Sequence, residues 1–286
     1  MITGKETNTV YLSERLYSDS RFGATCENLL AILDKHNINH KFLNKTNNEN
    51  DVWCRDYMPV QVSEDKYMRF LYEPWYLNDK KGRKISHTDP AIVCQANEVP
   101  YEFSPINLDG GNVVTWSDRV IISDRIFDEN PEYTDKKKLI SKIEKLLEAE
   151  VIVIPQINDD MTGHADGMVR FIDGNTLIGS SRKEEYKYWT LGMNKVLEEY
   201  GMKYIDVPFL SNNQEKNQLC EVGYINYLEV QNLIVMPIFE AQGGRDDEAI
   251  ALFRDTFPNR KIETINYSAI AREGGLLNCT TWTVRE

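Results

Sequence analysis

Cys279 and His164 carry the side chains of this chain that are best suited to covalent chemistry and proton transfer. Cys279 follows Glu273–Gly275, whose two glycines allow a tight turn and a close approach to a ligand. A thiolate is a strong nucleophile where its pKa is lowered or a base lies nearby, and a histidine transfers protons near neutral pH. We therefore treat Cys279 as a candidate nucleophile of lowered pKa and His164 as a candidate proton carrier. The alternatives are a buried thiol and a structural histidine.

Three aspartates could complete a site with these two residues. Asp56 and Asp109 each precede an apolar stretch, and Asp166 lies two residues after His164, where we expect both side chains on one face of a strand. Taken singly, each aspartate could be a turn or capping residue. Three carboxylates without a second histidine suit a cation better than a transition metal. A planar guanidinium fits carboxylate pairs bidentately and would leave its central carbon open to a thiolate.

An internal repeat of about 55 residues joins these positions. Each repeat reads as a polar motif, a strand, a polar turn, a second strand, a helix and a third strand. Leu139, Ile143 and Leu146 or Leu147 form the apolar stripe of one such helix. The first repeat is irregular and lacks a clear helix. The leading residues of the five repeats are Asp56, Asp109, His164, Cys220 and Cys279.

Five such units would close most economically into a ring, because none can bury its own sheet face. The sequence predicts an α/β fold, a five-bladed pseudo-symmetric α/β propeller of ββαβ units, with residues 1–286 as one domain. We expect Asn8–Glu14 to pair with the last strand, Thr280–Glu286, and to hold Cys279 within that strand. The leading residues would then converge on a central pocket.

Composition narrows the class of protein further. Hydrophobic residues make up 41% of the chain and aromatic residues 10%, which favours a globular domain. No segment has the apolar length of a signal peptide or a membrane span, so we expect a cytoplasmic protein without membrane partners. The net charge of -12 argues against nucleic acid and is compatible with a cationic substrate. The five cysteines form no CxxC pair, and we expect reduced thiols and no metal site.

Four motifs together resemble those of a known family. The ordered set WCRDYMP, LDGGN, GHADGMVRF and EGGLLNC resembles the guanidine-modifying enzymes of the pentein fold, most of all the agmatine deiminase and bacterial-type peptidylarginine deiminase family. The resemblance spans nearly the whole chain. It implies that Cys279 is the nucleophile, that His164 is the general acid and base, and that no metal or organic cofactor is needed.

The resemblance also implies a substrate site. Asp56 and Asp166 would bind the guanidinium, and Asp109 would replace an acidic residue, usually glutamate, that does so in related deiminases. Asn278 stands where agmatine deiminases tend to have a histidine, and the chain is shorter than typical members; both differences leave agmatine itself open as the substrate. The other residues predicted to bind substrate are Trp53, Arg55, Gly110, Gly111, Asn112, Gly275 and Asn278.

Several alternatives stay open from the sequence. A small guanidino compound such as agmatine is the first choice of substrate, releasing ammonia and a ureido product. The same residues could act on free arginine or on arginine in a peptide, and they could carry out a dihydrolase reaction or amidino transfer. A further alternative is a binding module of the same fold without catalysis. Trp53 could instead belong to the core, and we expect Cys220 to pack rather than react. A homodimer is possible.

Overall fold

The computed structural model describes residues 1–45, 51–77, 88–208, 223–240 and 244–286. Cys220, which leads the fourth repeat, lies outside the described residues. The described strands are β1 Thr9–Ser13, β2 Asn39–Leu43, β3 Val60–Gln61, β4 Tyr67–Leu71, β5 Glu102–Asn107, β6 Val114–Trp116, β7 Arg119–Ser123, β8 Glu150–Ile154, β9 Val169–Asp173, β10 Thr176–Ser180, β11 Lys203–Val207, β12 Leu228–Val230, β13 Leu233–Ile238, β14 Lys261–Asn266 and β15 Thr281–Val284.

Helices and single turns connect these strands. The described α-helices are α1 Glu14–Ser18, α2 Gly23–Lys35, α3 Cys54–Tyr57, α4 Pro90–Ala96, α5 Arg125–Glu129, α6 Lys136–Leu147, α7 Lys187–Glu199, α8 Asp246–Thr256 and α9 Ser268–Ala271. Short 3₁₀ turns span Gly4–Glu6, Trp75–Leu77, Gly110–Asn112 and Ala165–Gly167. Within the described ranges no helix combines the length and apolar character needed to cross a bilayer.

Five three-stranded sheets repeat one topology. In each sheet the first strand runs antiparallel to the second, and the second runs parallel to the third, as in β6, β7 and β8. The fifth sheet has the order β15-β1-β2, with Thr9 opposite Val284 and Leu12 opposite Thr281. The predicted pairing of the two ends of the sequence is therefore confirmed. Cys279 itself lies in the turn before β15 and not within the strand, which begins at Thr281.

The first strands of all five sheets border a single cavity. Each strand contributes at least one lining residue, such as Gln61, Thr115, Arg170, Glu229 and Thr283. This arrangement is the predicted five-bladed propeller. Helices fill the spaces between neighbouring blades: α2 contacts β14 of the preceding sheet, and α7 contacts β8. The apolar core is divided accordingly among clusters between the blades.

The predicted helix stripe is confirmed in α6, where Leu139, Ile143 and Leu147 are fully buried. The expectation that the first repeat lacks a helix is wrong, because α4 lies there. The Asp89 side chain caps this helix by accepting from the backbone N–H of Ala91, and Pro90 occupies the first helical position. Both are standard helix-start signals, and they outweigh the irregular appearance of the segment.

The motifs that precede the first strands share a backbone conformation. Asp109 and His164 both have φ -75° and ψ 143°, and a 3₁₀ turn follows each of them. The expectation that His164 and Asp166 point to one face of a strand is therefore wrong, because β9 begins only at Val169. A 3₁₀ turn has three residues per turn, so positions two apart point in different directions.

Candidate active site

A pocket of about 550 Å³ opens where the motifs meet. Each charged side chain among its described lining residues is acidic, which gives the pocket a negative potential suited to a cation. The described residues that line it are Trp53, Asp56, Tyr76, Leu77, Asp159, Asp160, Met161, Thr162, Asp166, Gly167, Gly223, Asn226, Ala271, Glu273, Gly274, Gly275, Leu276 and Cys279.

The Cys279 thiol is held at the pocket wall by Asn226. The Cys279 Sγ atom lies 3.4 Å from Asn226 Oδ1 and 3.9 Å from Asp166 Oδ2. The same Asn226 oxygen accepts the backbone N–H groups of Asn278 at 2.9 Å and Cys279 at 3.2 Å. One amide oxygen thus fixes the turn that presents the nucleophile candidate.

Sequence reasoning missed Asn226, although the repeat carried a signal for it. Asn112 lies two residues before β6, and Asn226 lies two residues before β12. The Asn112 Oδ1 atom accepts from the backbone N–H groups of Ser123 and Ala165, and so joins its own blade to the next motif. Aligning the fourth repeat on its first strand, rather than on Cys220, would have placed Asn226 beside Asn112.

The surroundings of the Cys279 thiol raise its pKa well above its usual value. Burial is the main cause, and the carboxylates of Asp166 and Asp56 add to it. The expectation of a lowered thiol pKa is therefore wrong. The sequence shows which residues converge, but burial and the sign of the surrounding charge emerge only from the fold.

His164 is buried behind the wall of this pocket. Its Nε2 atom lies 3.0 Å from Asp109 Oδ2, and its Nδ1 atom lies 3.6 Å from Asp56 Oδ1. Burial lowers the pKa of His164, but the carboxylates of Asp56, Asp109 and Asp166 outweigh it and raise the pKa to about 10. The imidazole is therefore a cation at neutral pH.

Asp109 contacts His164 and Tyr76 and does not line the pocket. The Tyr76 hydroxyl donates to Asp109 Oδ2 at 2.9 Å, and the Tyr76 ring lies edge-on to the His164 ring with centroids 5.9 Å apart. Asp109 is only 1% exposed, so this geometry favours a role in orienting His164 over direct contact with a substrate. Tyr76 belongs to a segment without a clear sequence pattern and was not foreseen.

Asp56 and Asp166 both reach the pocket from different blades. Asp56 Oδ1 accepts the backbone N–H of Gly111 at 3.1 Å, and Asp166 Oδ2 accepts from the Asn278 side-chain amide at 2.7 Å. Burial raises the pKa of Asp56 well above its usual range, although the His164 cation lowers it. Two carboxylates at one pocket wall, beside a thiol, provide the pair of acceptors that a guanidinium requires.

Two glycines make room for this arrangement. A Cβ atom at Gly111 would lie 2.4 Å from Asp56 Oδ1 and 2.6 Å from His164 Nδ1. A Cβ atom at Gly275 would lie 2.5 Å from the Trp53 ring. Both distances are shorter than any van der Waals contact, so these positions exclude a side chain unless their neighbours move. Trp53 is half-buried and lines the pocket as well as packing on the core.

The remaining residues predicted to bind substrate lie elsewhere. Arg55, Gly110 and Asn278 border the cavity between the first strands and do not line the Cys279 pocket. Asn112 is buried and does not line the Cys279 pocket. Across the described ranges no group of three or more His, Cys, Asp or Glu side chains is arranged to hold a metal ion.

Comparisons with known proteins agree with this arrangement. The sequence model of the Porphyromonas-type peptidyl-arginine deiminase family matches residues 18–284. Agmatine deiminase of Pseudomonas aeruginosa is 23% identical over 300 residues, which cover 89% of this chain and 79% of that protein.

Solved structures show the same fold. Agmatine deiminase of Enterococcus faecalis superimposes with a TM-score of 0.80 at 16% identity, covering 100% of this chain and 95% of the other. The C315S agmatine deiminase of C. jejuni with substrate bound gives a TM-score of 0.77 at 19% identity, covering 100% and 96%. At these identities the likeness concerns the fold.

Proposed function

The chain belongs to the Porphyromonas-type peptidyl-arginine deiminase family, and from this premise we propose that it is a deiminase that releases ammonia from the guanidino group of a small cationic substrate. Agmatine is the first candidate, because relatives with this fold bear that name. The observation that carries the proposal is that the Cys279 thiol and the carboxylates of Asp56 and Asp166 line one pocket.

Substrate binding uses the two aspartates. The guanidinium lies between Asp56 and Asp166, each accepting from its N–H groups, and its central carbon faces Cys279 Sγ. Charge-assisted bonds of this kind are about twice as strong as neutral ones. The Trp53 ring at the pocket wall packs on the alkyl chain or the guanidinium face.

The bound cation also prepares the nucleophile. Asp56 and Asp166 raise the pKa of Cys279, so a positive charge between them offsets that effect and lowers the thiol pKa. When substrate binds, the thiol releases its proton to solvent, because His164 is already an imidazolium. Activation of the thiol therefore depends on the substrate's own charge.

Two steps then complete the reaction. The thiolate attacks the guanidinium carbon, a C–S bond forms, and one C–N bond breaks as His164 gives its proton to the departing ammonia. His164, now neutral, takes a proton from water, which attacks the amidino carbon and breaks the C–S bond. The products are ammonium and a ureido compound, and Cys279 is restored.

The pocket lining favours agmatine over free arginine. Asp159, Asp160 and Glu273 add acidic groups to the described lining, and no lysine or arginine is part of it. The Glu273 charge is partly offset by Arg21 at 2.9 Å. A second positive charge on the substrate is attracted to this lining, and the α-carboxylate of free arginine is repelled.

The first experiment compares agmatine, free arginine and an arginine-containing peptide as substrates. Ammonia and ureido product are measured separately, with Cys279→Ala as the control. We expect equal amounts of both products from agmatine, and a loss of at least 1,000-fold in the variant. Ammonia without ureido product, or product that is independent of Cys279, would contradict the proposal. Amidino transfer would appear as a new guanidino compound, formed on an added amine in place of the ureido product.

A homodimer and a cytoplasmic location stay predictions of the sequence.

A further inference from the structure

A second cavity, here called the axial cavity, lies on the ring axis between the first strands of the five sheets. Its volume is about 70 Å³, and the amino-terminal residues Thr3 and Thr7 border it. Asp166 borders both this cavity and the Cys279 pocket. The two cavities therefore share one carboxylate, that of Asp166.

Two guanidinium groups, those of Arg55 and Arg170, line the axial cavity. The Arg55 Nη2 atom donates to Thr283 Oγ1 at 3.1 Å, and its Nε atom is buried with no hydrogen-bond partner. The Arg170 Nη1 atom donates to the backbone oxygen of Tyr227 at 3.0 Å, and its guanidinium lies over the Tyr227 ring. Burial lowers the pKa of Arg55, and the nearby Arg170 charge lowers it further.

Neither guanidinium has a carboxylate oxygen within 4 Å in the described part of the chain, whereas Arg182 pairs with Asp206 at 2.8 Å. Glu229 also borders the axial cavity, but it forms an ion pair with Arg260, with 2.7 Å between Glu229 Oε1 and Arg260 Nη1. The Asp166 Oδ2 atom is bonded to Asn278, and the same atom faces the Cys279 thiol. Two positive charges thus share the cavity without a dedicated counter-charge.

We propose that the axial cavity binds one small inorganic anion, the size of a halide, between Arg55 and Arg170. A desolvated charge without a counter-charge is unfavourable, so a counter-ion at this position is favoured. The volume accommodates an ion with one or two waters and excludes ligands of metabolite size. The unpartnered Arg55 Nε–H and the Thr283 hydroxyl are donors available to such an anion.

The position of Asp166 couples this site to the pocket. If the proposed function holds, a guanidinium bound at Asp166 neutralises a carboxylate that borders the axial cavity, which strengthens the attraction of the two arginines for an anion. Linkage then requires that the anion strengthens substrate binding by the same factor. The anion is therefore expected to lower the Kd for a guanidino substrate.

The test compares bromide with gluconate, an anion too large for the cavity, at constant ionic strength. The thermal midpoint of the whole protein is measured, and crystals grown in bromide are examined for anomalous density. Arg170→Met removes one of the two guanidiniums. Arg272→Met is the matched control, because Arg272 is exposed and its substitution changes the net charge equally.

We expect bromide density between Arg55 and Arg170, and a midpoint rise of about 3 °C at tenfold excess over Kd in the wild type and in Arg272→Met. The rise should be absent in Arg170→Met. Equal shifts in all three proteins, or a cavity without bromide density, would overturn the proposal. Should Arg170→Met not fold, Thr283→Val keeps the charge and should weaken bromide binding about fivefold; unchanged binding would count against the site. None of these readouts needs turnover, so they stand apart from the deiminase assay.

Discussion

The Cys279 thiol lies beside carboxylates that oppose its ionisation, and this defines its reactivity. Burial and the charges of Asp166 and Asp56 raise its pKa. These surroundings oppose oxidation and alkylation of the thiol, because the thiolate is the reactive form. Under the proposed function, catalysis requires the positive charge of the substrate, which restricts attack to cations that fit between the two aspartates.

Asp166→Asn should therefore make the Cys279 thiol easier to alkylate while it slows deimination. Removing the carboxylate removes one cause of the raised thiol pKa, so the pH midpoint of iodoacetamide alkylation of Cys279 should move down. Deimination should fall by at least 100-fold, because the guanidinium loses one of its two acceptors. The measurement is the pH profile of alkylation, read by mass spectrometry at Cys279.

Asp255→Asn is the control for this experiment, since Asp255 is exposed on α8 and its loss changes the net charge equally. Buried Cys26 and Cys94, each with its pKa raised to about 12 mainly by burial, should stay unlabelled in the folded protein. An unchanged or higher midpoint in Asp166→Asn would show that the carboxylate does not control the thiol.

At the scale of elements, short turns rather than strands present the chemistry. The turn before β15 is fixed by the Asn226 side chain, whose oxygen accepts two backbone N–H groups and faces the thiol. Two repeats earlier, Asn112 makes a comparable pair of bonds, one to Ser123 of its own blade and one to Ala165 of the next motif. The repeat thus uses one asparagine position to join neighbouring blades, and one such joint holds Cys279.

Asn226→Ala should remove the side-chain hydrogen bonds that join the turn before β15 to the neighbouring blade. The Cys279 N–H loses its acceptor and the Asn278 N–H keeps only the Asn226 backbone oxygen at 3.1 Å, so we expect the free energy of unfolding to fall by about 1–3 kcal/mol and the deimination rate to fall by at least tenfold. Asn112→Ala is the matched variant, with the same number of lost backbone bonds. Urea unfolding and the rate of Cys279 alkylation in the folded state are compared for both.

The two variants should lose similar stability, but only Asn226→Ala should change the alkylation rate of Cys279. An equal change in both would mean that the thiol responds to general loosening of the ring. The sequence could not distinguish these residues by itself, because an asparagine before a strand is equally a turn residue. The distinction depends on which backbone groups meet its side chain across the blades.

At the scale of the whole molecule, the sequence predicts much of the architecture because the repeat is read from local patterns. The spacing of Asp56, Asp109, His164 and Cys279 indicated convergence, and the pairing of β1 with β15 followed from the missing strand of the last unit. The role of Tyr76 could not be read in this way, because its contact with Asp109 joins an irregular segment to another blade. The raised thiol pKa likewise requires knowledge of burial.

Closure of the ring by β1 and β15 should make the fold a single cooperative unit. Leu12 lies in β1, the central strand of the closing sheet, and Leu177 lies in β10, the central strand of another sheet; both are fully buried. In a linear array of repeats, a cavity in a terminal repeat lets that end unfold locally. In a closed ring each blade packs against two neighbours. We therefore expect Leu12→Ala and Leu177→Ala to cost about the same, about 2–5 kcal/mol each.

The measurement is urea unfolding followed by circular dichroism and, in parallel, by alkylation of Cys279. In both variants the two signals should change at the same urea concentration, because loss of any blade opens the ring and exposes the thiol. If Leu12→Ala exposed Cys279 at low urea while the remaining sheets stayed folded, the closing sheet would be an independently fraying end. Such a result would separate the stability of the turn that holds Cys279 from that of the ring.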